Sequence, residues 1–474
     1  MTSMHGASRS SGLRIGSARL ARALAAAVAL SRPALAGPVL AATLALAGPA
    51  LAAPLPAQDP PAGLRPDQLR GIQDRTAVVT AGPQYAATPV QEFFLGEGYR
   101  EVWTTPVRVP YLDLGAYAGG LTPLEQGGNQ SRTLHFRGAD GRRYIFRTVD
   151  KYLAESIPEE IGDAPVGRLV QDQTAAFFPA AGLVIEPLQG AVGVLNAPAI
   201  MVLMPDDSRL GEFREEFAGL LGTIEERPDE IETESGGTLP GYAGSDRVVA
   251  WERMMERLEE SPEDRIDARE YLAGRLLDFI VGDPDRGIDQ LRWARFGEPG
   301  NYTFRPVPRD RDYAFQKSGG VLVKAIALAG YDKLVTYGPE HSPLSGYIFM
   351  TRDLDRELLV GVPKPAWDST VAAVQAALDD ATIARAVAQL PPPWRALRGD
   401  FLASSMRARR DSLPGVANAF YEFVARYADV FATDQPEYAE VDRLDDGTVR
   451  VRVYWRPELV AAAPPTPDDQ EENR

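Results

Sequence analysis

The chain has 474 residues, no cysteine and a formal net charge of -16 at pH 7. Without thiols there are no disulfides, no cysteine-based zinc site and no lipoprotein anchor, and a chain of this size needs no disulfide to hold a core. The acid excess repels phosphate backbones, which argues against nucleic-acid partners and against docking on anionic lipid.

In chain order, residues 1–52 read first, as a cleavable signal segment. No acidic residue precedes Asp59, while Arg9, Arg14, Arg19, Arg22 and Arg32 supply a positive end. Ala/Leu/Val runs follow at 23–30 and 34–46, and Ala50-Leu51-Ala52 is a small-x-small cleavage site. A retained anchor is the competing reading. Arg32, Pro33, Pro38 and Pro49 interrupt the apolar run, whereas a spanning helix needs about 20 unbroken apolar residues. A mitochondrial transit peptide has similar composition and is a lesser alternative. Removing five arginines leaves the mature chain at -21. The expected location is the periplasm or cell envelope.

Residues 53–89, Pro/Ala-rich at their start, are expected to be a flexible leader. A β-rich region follows, with a hairpin of 133–137 against 143–149 around the turn Ala139-Asp140-Gly141. Residues 169–178 read as helix, 199–204 as a buried strand, and the acidic stretch 212–244 as partly helical over 213–226. Residues 247–259 form an amphipathic helix and 267–281 a core helix that stops at Gly282. Strands at 291–296 and 302–307 are joined by Gly297-Glu298-Pro299-Gly300. Helices are expected at 369–378, 382–389 and within 418–432, then a hairpin inside 436–460. The tail 461–474 is polar and Pro-rich, hence disordered.

The chemistry concentrates in 282–315, GDPDRGIDQLRWARFGEPGNYTFRPVPRDRDYAF. A core helix delivers a loop with Asp283, Asp285 and Gln290, and a hairpin then returns Asp310 and Asp312. Phosphoryl transfer needs such a set: one Asp to orient the attacking hydroxyl, a side-chain carbonyl to hold a metal ion, and a second Asp to bridge that metal to phosphates. In an extended segment 307–312, Asp310 and Asp312 would face one side with Arg309 and Arg311 turned away. Two adjacent carboxylates call for a cation between them. A solvated loop with surface Asp–Arg pairs is the bland alternative. There is no HExxH, GxSxG, P-loop or strand-borne GxGxxG, and of three histidines only His135 and His341 follow the leader.

Asp285-Arg286-Gly287-Ile288-Asp289-Gln290, followed by RPVPRDRDYAF, resembles the protein-kinase-like superfamily in its atypical branch: type II phosphatidylinositol kinases, HipA-type and CotH-type kinases. The stretches GGLTPLEQGGNQSRTLHF and YIFRTVDK are similar to an uncharacterised group of bacterial exported proteins, some fused to a metallophosphoesterase or an outer-membrane surface-antigen barrel. The resemblance implies an α+β, two-lobed kinase-like fold, with a β-rich N-lobe at 90–205 and a helical C-lobe at 206–435. It implies ATP with Mg²⁺ or Mn²⁺ as cofactors. Asp285, with Asp283 as the alternative, would orient the acceptor; Gln290 and Asp310 or Asp312 would hold metal. Gly127, Gly128, Asn129, Gln130 and Ser131 would cover the phosphates, although a Gly-Gly turn also serves a plain hairpin. Arg147 or Lys151 would contact phosphate, Asp172-Gln173 would begin the helix carrying the pairing acid, and 199–204 would lead into the adenine-facing hinge. Arg147 for Lys, Gln173 for Glu and Gln290 for Asn depart from the pattern. They keep a second reading open: a non-catalytic envelope module, partnered by a barrel or phosphoesterase, or binding a phosphorylated ligand. The acceptor class, whether protein, lipid head group or sugar, is left open.

N-terminal sequencing of the protein made in a Gram-negative host is expected to start near Ala53. An intact Met1 chain in the cytoplasm would contradict export.

Overall fold

The computed structural model describes residues 68, 70–156, 165–229, 231–232, 238–239, 241–328, 334–427, 429–435, 437–445, 447 and 449–455. The expected signal segment, the Pro/Ala-rich residues 53–66 and the tail from 461 lie outside the described residues. The chain is mixed α+β, with a large sheet first and a mainly helical region after it.

Seven strands form the first sheet: β1 (Ile72–Val79), β2 (Val107–Leu112), β3 (Leu121–Gly127), β4 (Thr133–Gly138), β5 (Arg143–Thr148), β6 (Ile200–Leu203) and β7 (Leu221–Glu226). Their order is β1-β2-β6-β7-β5-β4-β3. All pairs are antiparallel except β2–β6. Side chains alternate across a strand. Leu134, Phe136, Tyr144, Phe146 and Ile224 therefore pack into one core with Tyr117 and Phe217. Their neighbours Thr133, His135, Ile145, Arg147 and Glu225 are left for the opposite face, where they line cavities.

Two expectations are corrected here. Residues 72–79, placed in a flexible leader, are the edge strand β1. Residues 221–226, placed in a helix, are β7, bonded to β5 on one side and β6 on the other. The acidic composition around β7 gave no strand signal. Pairing on both sides fixes it, and Gly222 permits the close approach, because a Cβ there would sit 2.3 Å from the Phe146 ring. The sheet therefore runs beyond position 205, and the chain leaves it after Glu226 instead of after 204.

The sheet is flanked by α1 (Arg100–Thr104), α2 (Pro165–Asp172) and α3 (Ala181–Ala191). A two-residue ladder of β8 (Ile231–Glu232) and β9 (Thr238–Leu239) precedes a second sheet. That sheet contains β10 (Arg247–Val249), β11 (Arg265–Ile266), β12 (Leu291–Glu298) and β13 (Asn301–Pro308), ordered β10-β12-β13-β11. The longer helices of this region include α4 (Trp251–Glu260), α5 (Ala268–Val281), α6 (Arg352–Leu359), α7 (Lys364–Ala377), α8 (Asp380–Ala388) and α9 (Pro392–Val424). The helix expected from 247 starts only at Trp251, because 247–249 pair with β12 as β10. The expected helix within 418–432 is the end of the 33-residue α9, which stops at Val424. Strands β14 (Glu437–Arg443) and β15 (Val449–Trp455) pair as the expected final hairpin.

Helix α5 aims the chemistry-bearing loop. Asp267 caps it by accepting from the Glu270 N–H at 2.9 Å. Gly282 ends it at φ +69°, where a Cβ would meet the Tyr337 ring at 2.7 Å, so glycine is required on both counts. The helix is buried on nearly all sides. Its buried Arg275 donates to Asp278 at 2.6 Å and to Asp355 of α6 at 2.9 Å. Asp355 also accepts from Tyr271 at 2.7 Å and Thr351 at 2.6 Å. Removing Asp355 leaves the buried Arg275 with Asp278 as its only ion-pair partner among the described residues, a carboxylate it shares with Arg311. Asp355→Ala is therefore expected to cost about 3–5 kcal/mol, read as a fall in the urea midpoint at unchanged m value.

Candidate functional site

Six separate chain segments, 128–135, 145–147, 227, 285–292, 309–313 and 349–354, meet around one cleft of about 920 Å³. Its wall on the first sheet is the loop 128–131 with Thr133, His135, Ile145 and Arg147. Facing it are Asp285 and Gln290 of the loop after α5, and Asp310 and Asp312 after β13. A smaller cavity of about 110 Å³ shares Arg147, Asp310 and Asp312 and adds Lys151, Glu186 and Glu225.

The glycine loop is a tight turn. Gly128 has φ +100°, and a Cβ there would lie 2.0 Å from the Ser131 carbonyl oxygen. Gln130 is fixed from across the cleft, since the Tyr313 hydroxyl donates to its Oε1 at 3.0 Å. Gly127 ends β3 and is not among the residues lining the cleft.

Asp310 and Asp312 do not lie on an extended strand. β13 ends at Pro308, and Asp310 takes φ +54°. This turn replaces the expected alternation, yet both carboxylates reach the cleft. Each meets a cation from β5 or the segment after it: Arg147 Nη1 is 3.5 Å from Asp310 Oδ2, and the Lys151 ammonium is bonded to Asp312. The Lys151 ammonium lies 4.6 Å from the Phe177 ring and 4.7 Å from the Tyr313 ring, two rings that meet edge to face. Arg147 and Lys151, alternatives in the sequence, thus address different carboxylates. Burial favours protonation of both acids. Arg147, Lys151 and Arg286 outweigh it at Asp310 and hold that group below the usual carboxylate range. At Asp312, burial and the Asp310 charge prevail and push the group up to about 6. Asp310 Oδ1 is buried with no hydrogen-bond partner among the described residues.

Beneath these groups lies a buried lattice that the sequence did not reveal. Arg286 donates to the carbonyls of Asp285 at 2.8 Å, Arg309 at 2.6 Å and Asp310 at 2.8 Å. It thereby ties the loop after α5 to the end of β13. Asp283 is fully buried, between Arg286 at 3.5 Å and Arg311 at 3.4 Å, and does not line the cleft. Its Oδ1 accepts from the Asp285 N–H at 3.1 Å, so it positions Asp285. Arg311 turns inward to Asp278 and to Gln189 at 3.2 Å. The Phe315 N–H donates to the Val281 carbonyl at 2.8 Å, and its own carbonyl accepts from Tyr99 at 2.7 Å.

The expected helix at 169–178 is replaced by α2, which ends at Asp172, and a 3-10 turn over Gln173–Ala176. Asp172 forms a two-point pair with Arg100 at 2.9 and 2.6 Å, and Gln173 donates to the Leu95 carbonyl at 3.3 Å. Neither reaches Lys151. Among the described residues, no three or more His, Cys, Asp or Glu side chains form a metal cage, and no helix is long and apolar enough to cross a membrane. Two carboxylates with the Gln290 carbonyl suit Mg²⁺ or Mn²⁺ of the kind that completes its shell with water and phosphate.

No family model matches the chain, and no curated protein matches it in sequence. Among solved structures it is similar over 65% of its length, at 13% identity and TM-score 0.33, to 68% of a chain in the HipA–HipB toxin–antitoxin and operator DNA complex of Shewanella oneidensis MR-1. Over 64% of its length, at 10% identity and TM-score 0.30, it is similar to 95% of the proinflammatory kinase CtkA of Helicobacter pylori. Likenesses of this degree establish no shared activity.

Glu186 of α3 was not anticipated. Burial pushes its carboxyl up to about 7 against the opposing hydrogen bond from Asn196. Between pH 4.5 and about 7 the folded chain therefore holds a proton that the unfolded chain has lost, so stability falls as pH rises through that window. Glu186→Gln is expected to flatten that part of the thermal-melting profile and raise Tm at pH 8. An unchanged profile would assign the proton elsewhere.

Proposed function

We propose that the chain is an exported, ATP- and metal-dependent phosphotransferase of kinase-like fold. The observation that carries this reading is the convergence, on one cleft, of the loop 128–131, Arg147, the Asp285–Gln290 loop and the Asp310–Asp312 pair. In this reading the backbone N–H groups around Gly128 cover phosphate oxygens. Arg147 and Lys151 exchange their carboxylate partners for phosphate. Asp285, half-buried and held by Asp283, orients the acceptor hydroxyl. Gln290, Asp310 and Asp312 would hold the divalent ion, which neutralises charge on the transferred phosphoryl group. The buried, unpartnered Asp310 Oδ1 supports Asp310 as the principal ligand.

The second reading is a non-catalytic envelope module. It is favoured by the Arg147–Asp310 and Lys151–Asp312 pairs, which neutralise both carboxylates within the chain itself.

Mn²⁺–ATP is expected to raise the Tm of the mature protein. Asp285→Ala is expected to retain nucleotide binding while losing about 10²–10⁴ in any autophosphorylation or ATP hydrolysis. In calorimetry, Asp310→Asn should abolish metal-dependent ATP binding and Asp312→Asn weaken it less. Absence of any Tm shift at millimolar ATP with Mg²⁺ or Mn²⁺ would favour the non-catalytic module.

A further inference from the structure

The cleft has a second pole of opposite charge. Arg227 follows β7, Arg292 lies two residues after Gln290, and Arg309 precedes Asp310; all three side chains line the cleft. None lies within 4.0 Å of a carboxylate among the described residues. Their bonds are sparse. Arg227 Nη1 is 3.3 Å from His135 Nδ1, Arg292 donates to the Leu291 carbonyl at 2.9 Å, and Arg309 donates to the Asp289 carbonyl at 3.2 Å. Arg309 Nε is buried with no partner among the described residues. Their neighbourhood is repulsive. Burial and then Arg292, Arg147 and Arg227 push the Arg309 group down to about 10. Arg147 lines the same cleft and adds a further guanidinium to its walls. Burial and then Arg227 hold His135 down at about 4, so it is neutral beside them at pH 7.

An acidic protein that gathers three half-buried arginines without pairing any of them sustains an electrostatic cost, which Glu225, Asp229, Glu252 and Asp289 offset only from beyond ion-pair distance. A bound anion removes that cost. Guanidinium groups present planar forks that match phosphate oxygens two at a time. Three of them suit a dianionic phosphoryl group better than a singly charged carboxylate.

We infer that Arg227, Arg292 and Arg309 form a second anion site, which binds the phosphate group of a phosphorylated small molecule. Naming that molecule as the acceptor rests on the phosphotransferase reading; the anion site itself does not. The acceptor is then a phosphate ester. Its charged group sits on the arginines, and its hydroxyl is presented to Asp285 in the same cleft.

The test titrates glycerol 3-phosphate, inorganic phosphate and glycerol into the mature chain in EDTA, by calorimetry. Glycerol 3-phosphate is expected to bind and glycerol not to bind. Arg292→Gln/Arg309→Gln should weaken the ester at least tenfold while Mn²⁺–ATP still binds. Arg227→Gln, which breaks no ion pair, should also weaken the ester and serves if the double variant folds poorly. Because like charges are removed, each variant should melt no lower than the parent. Equal ester binding by parent and both variants, or no binding at all, overturns the site. Parallel loss of Mn²⁺–ATP in the double variant also overturns it, since the arginines would then hold the nucleotide. Inorganic phosphate binding as tightly as the ester overturns the assignment to an acceptor. Failure of Mn²⁺–ATP to bind the parent, with metal-free ester binding intact, removes the phosphotransferase reading and leaves the anion site standing.

Discussion

The site depends on one buried arginine. Arg286 donates to three carbonyls, of Asp285, Arg309 and Asp310, and stands beside the buried Asp283. Those carbonyls belong to two segments that α5 and the β12–β13 hairpin would otherwise deliver independently. A guanidinium presents its donors in a rigid fork, so satisfying them fixes the distance between the two segments. With Arg311 drawn down to Asp278 and Asp283, the turn at Asp310 has little freedom left, and both cleft carboxylates are held in place. Burying so many charges is costly, and each is tolerated only because its partners are buried with it.

Above this lattice, charge is arranged in opposition. β5 and the segment that follows it contribute Arg147 and Lys151, and the loops after α5 and β13 contribute Asp285, Asp310 and Asp312. A divalent cation between the carboxylates and an anion beside the cations would replace the internal pairs without leaving a buried charge alone. The same layout explains why Asp310 and Asp312 differ. Asp310 faces Arg147 and the inward arginines, whereas Asp312 bears its neighbour's charge with Lys151 as its nearest counter-ion. Along the same walls, Arg227, Arg292 and Arg309 have no carboxylate within ion-pair distance among the described residues.

The first sheet positions the basic side of the cleft through strand alternation. Tyr144 and Phe146 bury into the sheet's own core, which forces Ile145 and Arg147 to the other face. The central position of β5, bonded to both β4 and β7, fixes that orientation. A slip of one residue would point Arg147 into an apolar core, so register and function are tied together.

The sequence by itself determined the elements whose signals are local. The period and caps of α5, the hairpin around Pro299-Gly300 and the 133–148 hairpin are set by neighbours in the chain, and they appear where spacing placed them. The loop–hairpin–Asp order of 282–312 was legible for the same reason. Only the tertiary structure decided the rest. β7 is a strand because β5 and β6 bond it from both sides, which outweighs an acidic composition. β1 is ordered because β2 offers it an edge. Asp283, a second candidate beside Asp285 in the sequence, is buried because Arg286 and Arg311 enclose it, and Asp172 is turned away by Arg100. Arg147 and Lys151 could not be told apart in sequence, since each depends on a carboxylate more than 150 residues away. Long-range ion pairs leave no local periodicity, and for that reason the charge pattern of the cleft had to be found in three dimensions.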